Sequence, residues 1–63
     1  MKTYAASNKA ELLTAIREHG SVCNPYRMVS GIVRGVAVDR WLNEMLDEGV
    51  IEYVSECECK AVK

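Results

Sequence analysis

The chain has 63 residues, of which 49% are hydrophobic and 27% charged, and its formal net charge is −1. A chain of this length forms one domain that buries only roughly 60% of its unfolded surface, which excludes a large enclosed active site and makes homodimerisation a reasonable expectation. The near-zero charge removes the overall attraction that strongly basic nucleic-acid binders have and leaves only local patches to supply it.

Residues 1–7, MKTYAAS, lack periodicity and are expected to form a flexible or loosely docked arm with Tyr4 as its anchor. Met1-Lys2-Thr3-Tyr4 is not followed by a signal-peptide core, and no apolar run approaches the roughly 18 residues of a membrane helix. The expected setting is therefore cytoplasmic, with no membrane partner. Helix 1 is expected from Asn8, whose side chain can cap while Glu11 reaches back in a capping box. Leu12, Leu13 and Ile16 form its buried stripe, and Gly20 ends it with His19 in the last turn. Ser21-Val22-Cys23 is short and β-branched, suited to a one-bridge strand.

A second helix is expected after Asn24, with Pro25 at its first position, where the missing N–H costs nothing. Tyr26, Val29, Ile32 and Val33 would share one face, and Arg27, Gly31 and Arg34 the other. Gly31 inside a helix costs roughly 1 kcal/mol against alanine, so a close approach of the next helix across a turn at Gly35 is the expected reason for it. The third helix is the clearest. Val38, Trp41, Leu42, Met45 and Leu46 follow the i, i+3, i+4, i+7, i+8 spacing of one buried stripe. Arg40, Asn43, Glu44 and Asp47 lie opposite, and Gly49 is placed for a left-handed cap after Glu48. Val50-Ile51-Glu52-Tyr53-Val54 and Cys57-Glu58-Cys59-Lys60-Ala61-Val62 then read as strands, with Ser55-Glu56 as the tight turn between them.

With residues 9–54 in view, the chain resembles a winged helix-turn-helix domain. KAELLTAIREHG is similar to the first helix of that superfamily, and VDRWLNEMLDEGVIEYV to its recognition helix running into the first wing strand. The resemblance covers about three quarters of the chain and rests on an apolar pattern and the closing DEGVIEYV phrase. It implies an α+β fold over residues 8–63, a three-helix winged helix-turn-helix with a short C-terminal β-hairpin wing. It also implies a small transcriptional regulator that binds double-stranded DNA, with helix 3, about residues 37–48, in the major groove. Val36, Ala37, Arg40 and Asn43 would face base edges: arginine can pair with guanine, asparagine with adenine, and a small apolar side chain can meet a thymine methyl. Arg27 and Arg34 would hold phosphates. The hairpin departs from the superfamily pattern in lacking an arginine or lysine at its tip.

Two other readings compete. The arginines can be ordinary solvated surface on amphipathic helices. Alternatively, Glu44, Asp47, Glu48 and Glu52 can form an acidic face for a protein partner, making the chain a winged-helix adaptor that does not bind DNA. Convergence of Arg27, Arg34 and Arg40 on one surface favours DNA, whereas dominance of that surface by the acids favours the partner. Three cysteines without a secretion signal default to reduced thiols. Cys57 and Cys59 would share one face of a strand, and Cys23 with His19 could join them around zinc or a cluster. The two-to-four-residue spacing of zinc pairs is absent, so no metal or cofactor is expected. His19 reads as a helix-terminal residue and Trp41 as packing. With no phosphate loop and no carboxylate pair at catalytic spacing, no enzyme is expected.

Overall fold

A computed structural model of the chain describes residues 4–62. In chain order it contains α1 (Lys9–His19), a one-turn 3-10 helix (Pro25–Met28), α2 (Gly35–Glu48), β1 (Ile51–Tyr53) and β2 (Cys59–Ala61). The two strands pair antiparallel, Ile51 opposite Ala61, Glu52 opposite Lys60 and Tyr53 opposite Cys59. Val22 forms an antiparallel bridge with Cys59. The Val22 amide donates to the Cys59 carbonyl at 2.7 Å and the Cys59 amide to the Val22 carbonyl at 2.8 Å. The short segment after α1 is thus a one-rung strand, as its β-branched sequence suggests.

Local chemistry explains the ends of α1. The Asn8 side-chain oxygen accepts the Glu11 amide at 2.9 Å. The Glu11 carboxylate accepts from the Ser7 amide at 2.9 Å and from the Ser7 hydroxyl at 3.0 Å, one residue before the capping-box position. These two Ser7 bonds, the amide first, hold the Glu11 carboxyl below its ordinary range. Gly20 (φ 93°) and Gly49 (φ 76°) take the positive φ that lets each chain leave its helix, and only glycine does this without strain. Asn8→Ala, which leaves one donor of the first turn unpaired, is expected to lower stability by about 1 kcal/mol. A urea midpoint unchanged from wild type would show that Ser7 and Glu11 suffice to cap α1.

The expected second α-helix does not form. Pro25 starts a single 3-10 turn, and Val29 then adopts extended φ −108°, ψ 159°. The cause is a competing partner for the backbone. Ala6 forms a parallel bridge with Val29. Its amide donates to the Met28 carbonyl at 2.9 Å, and its carbonyl accepts from the Ser30 amide at 2.8 Å. Residues 4–7 therefore carry a backbone anchor, and Ala6 is buried. Tyr4 is half-buried and meets the His19 ring edge-on, with centroids 6.2 Å apart. Met1–Thr3, the rest of the expected arm, lie outside the described residues.

The shared face expected of Tyr26, Val29, Ile32 and Val33 is lost with that helix. Ile32 is 86% exposed and Tyr26 is exposed too, while Val29 and Val33 are half-buried. Gly31 lies in a turn with nothing within 4 Å of where a Cβ would stand, so no close helix approach explains it. Gly35 is the first residue of α2 rather than an inter-helix turn, and α2 starts two residues before the expected position 37. Its stripe behaves as its spacing predicts, with Val38, Leu42 and Met45 buried and Trp41 and Leu46 half-buried.

Leu12, Ile16, Val38, Met45 and Cys59 form the fully buried centre, joined by Ala15, Val22, Met28, Leu42 and Ile51. Both helices, the 3-10 turn and the sheet thus contribute to one core. The wing loop is longer than a two-residue turn. The Val54 amide donates to the Glu58 carbonyl at 2.8 Å, and the Ser55 hydroxyl accepts the Glu58 amide at 3.3 Å, enclosing Ser55-Glu56 in a wider bend. Without Asn-Gly or Asp-Gly, no two-residue hairpin turn is favoured there. Among the described residues no helix is long and apolar enough to cross a membrane.

Candidate nucleic-acid interface

At 3.6 residues per turn, burying Val38, Leu42 and Met45 turns Val36, Arg40, Asn43 and Asp47 outward along α2. Val36 is 76% exposed, and Arg40 and Asn43 are exposed with it. A shallow groove beside the helix start is lined by Ser7, Ile32, Val33, Arg34, Val36, Ala37, Arg40 and Trp41. Four of the six residues expected to touch DNA, Arg34, Val36, Ala37 and Arg40, therefore meet on one surface. Asn43 continues their stripe one turn on. Arg27, on the 3-10 turn, is exposed but does not line the groove.

Charge is distributed unevenly around α2. The Lys9 ammonium reaches back from α1 to Glu44 at 3.2 Å and Glu48 at 2.8 Å. Glu48 first and then Glu44 hold the Lys9 ammonium above its usual range. Lys60 lies 3.5 Å from Glu52 across the hairpin. Such exposed pairs add little stability, but they locally offset the acids of the helix's far half and of the wing. Asp39 accepts a hydrogen bond from the Tyr26 hydroxyl, which ties the 3-10 turn to α2 and raises the tyrosine's pKa. Among the described residues Arg27, Arg34 and Arg40 form no ion pair, and neither does Asp47. The groove end of α2 thus presents guanidinium groups and small apolar side chains beside Asp39, whose partner is the neutral Tyr26 hydroxyl, while Asp47, also without an ion pair among the described residues, stands at the far end.

The sequence pattern misses the most exposed apolar side chain of this surface. Ile32 is assigned a buried helical face by its spacing and instead stands in the loop that opens the groove. Its signal is indirect: Gly31 and Gly35 bracket it, a composition that suits a loop as well as a helix.

The three cysteines do not form a single cluster. Cys59 is fully buried at the start of β2, paired with Tyr53 on one side and bridged to Val22 on the other, and burial pushes its thiol up. Cys57 does not share that face; it precedes β2 in the wing loop, exposed, with its Sγ 3.0 Å from Cys23 Sγ. His19 Nδ1 lies 3.0 Å from the Ser21 carbonyl oxygen, at the end of α1. The convergence of three thiols and an imidazole that zinc or a cluster would need is therefore not formed, because the loop bend turns Cys57 out of register with Cys59. Among the described residues no group of three or more His, Cys, Asp or Glu is placed to hold a metal ion. Compared with known proteins, the chain matches no family model, no curated protein and no solved structure.

Proposed function

We propose that this protein is a small winged helix-turn-helix DNA-binding regulator that works in the cytoplasm by binding rather than by catalysis. The observation that carries this reading is the surface at the start of α2, where Arg34 and Arg40, free of ion pairs among the described residues, flank exposed Val36 and half-buried Ala37. The helix would enter the major groove, with Val36, Ala37, Arg40 and Asn43 at base edges, while Arg34 and Arg27 hold phosphates. A 3-10 turn in place of the second helix still leads the chain into α2, and the Tyr26–Asp39 hydrogen bond braces that approach. Two copies on adjacent half-sites would double the contacts of so small a surface.

The test is a titration of the protein with random-sequence duplex DNA at 50 and 200 mM salt, followed by DNA anisotropy. Two phosphate contacts per chain predict an affinity that falls roughly tenfold over that range. No binding even at the lower salt would overturn the reading.

A second reading rests on a different observation. Ile32 and Val36, 86% and 76% exposed, share the groove, and such a pair suits a protein partner better than a phosphate backbone. An adaptor of this kind would use the apolar groove; the acidic face has Glu44 and Glu48 engaged by Lys9. Pull-down that is lost in Ile32→Ser, together with failure to bind DNA, would favour it.

A further inference from the structure

Cys23 and Cys57 come from opposite sides of one backbone rung. Cys23 directly follows Val22 and Cys57 lies two residues before Cys59, and Val22 and Cys59 are joined by two short hydrogen bonds. The rung holds the two thiols together, Sγ to Sγ 3.0 Å, although they are 34 residues apart in sequence. Both are exposed, on the rim of a hollow lined by Asn24, Pro25, Tyr26, Tyr53 and Glu56. The third thiol, Cys59, faces the core and is 0% exposed. We propose that Cys23 and Cys57 form a reversible redox pair, closed to an intramolecular disulfide by small-molecule disulfides such as oxidised glutathione, that staples the wing loop to the segment entering the 3-10 turn.

The step is a thiol–disulfide exchange. The thiolate of one cysteine attacks a sulfur of the small disulfide, forming a mixed disulfide and releasing one small thiolate. The second cysteine, deprotonated in turn, attacks the protein sulfur of that mixed disulfide and releases the other. The protein's S–S bond forms as the small molecule's bond breaks. The two cysteines give up two electrons and two protons, which leave as two small-molecule thiols. The contact with Cys57 first, and the Glu58 charge more weakly, push the Cys23 thiol up, so at neutral pH it rests as a thiol until an exchange partner arrives.

The physical consequence is large for a chain of this size. Closing a loop that spans about half of the chain removes entropy from the unfolded chain, and small domains commonly depend on such a staple. A reducing compartment keeps the pair open, and an oxidising shift closes it. This inference does not depend on the DNA-binding reading.

The full chain is incubated with oxidised glutathione, then denatured and analysed by intact mass, maleimide labelling and peptide mapping. The expected product is monomeric, lighter by two hydrogen atoms, linked Cys23 to Cys57, and has only Cys59 left to label. Its Tm should rise by roughly 10 °C and return on reduction. Cys23→Ser and Cys57→Ser should each lose that rise and retain a glutathione adduct on the remaining exposed thiol. Stable double adducts on the wild type, cross-linked dimers, or three unreacted thiols in excess oxidant would each overturn the proposal. So would a disulfide that forms without changing Tm, since the staple would then hold nothing.

Discussion

Leu12→Ala is expected to lower the unfolding free energy by about 3 kcal/mol or more and to leave much of the chain unfolded at 37 °C. A leucine-to-alanine change in a core loses the transfer energy of the removed methyl groups and adds the cost of the cavity left behind, about 2 to 5 kcal/mol together. Leu12 is 0% exposed, and its companions in the core, Ile16, Val38, Met45 and Cys59, are also fully buried and come from three elements, α1, α2 and β2. Val38 and Met45 are held by α2 and Cys59 by β2, so collapse onto the vacated space requires backbone movement. A chain of this size has a total stability of only roughly 3 to 9 kcal/mol. Urea unfolding followed by Trp41 fluorescence and circular dichroism measures the loss. Leu13→Ala, at a half-buried position beside it, is the comparison and should cost clearly less. Equal losses at the two positions would mean that α1 packs with a different face inward.

Arg40→Ala is expected to weaken binding to a selected DNA site by about 1 to 3 kcal/mol, roughly 5-fold to 150-fold, and to relax the base preference at one position. Arg40 is exposed and has no ion pair among the described residues, so its removal should leave the urea midpoint at the wild-type value. Arg34, at the cap of α2 on the rim of the same groove, serves as the control for backbone contact. Arg34→Ala should weaken binding to all sequences alike and reduce the salt slope by about one. Anisotropy titrations of the site and of scrambled duplex separate the two effects. If Arg40→Ala binds the selected site as wild type does, Arg40 is not a base reader, and the apolar groove becomes the better guide to function.

Part of this surface could be seen in the order of residues. Arg34, Val36, Ala37 and Arg40 are close in sequence, and once α2 is recognised they must share its start. Arg27 joins them only through a second helix, and because that helix does not form it stands apart from the groove. The pairing of Lys9 with Glu44 and Glu48 spans 35 and 39 residues. No local pattern reports it, yet it decides how much negative charge α2 presents.

The sequence by itself determined α1 and α2, the cap that starts α1, the glycines that end both helices and the strand character of the C-terminal segment. Those features rest on interactions within one turn or between alternate residues: the Asn8 cap, the stripes beginning at Leu12 and Val38, and the glycines that alone accept positive φ at positions 20 and 49. The tertiary structure alone decided what lies between them. Residues 25–33 have helix-compatible spacing but weak intrinsic preference, with β-branched side chains and glycine, so a few backbone hydrogen bonds from Ala6 are enough to draw Val29 into an extended bridge. That choice exposes Ile32 and limits the second helix to one turn. The same holds for the cysteines. Spacing alone aligned Cys57 with Cys59, whereas the Val22–Cys59 rung and the wide wing loop bring Cys57 to Cys23 and leave Cys59 in the core.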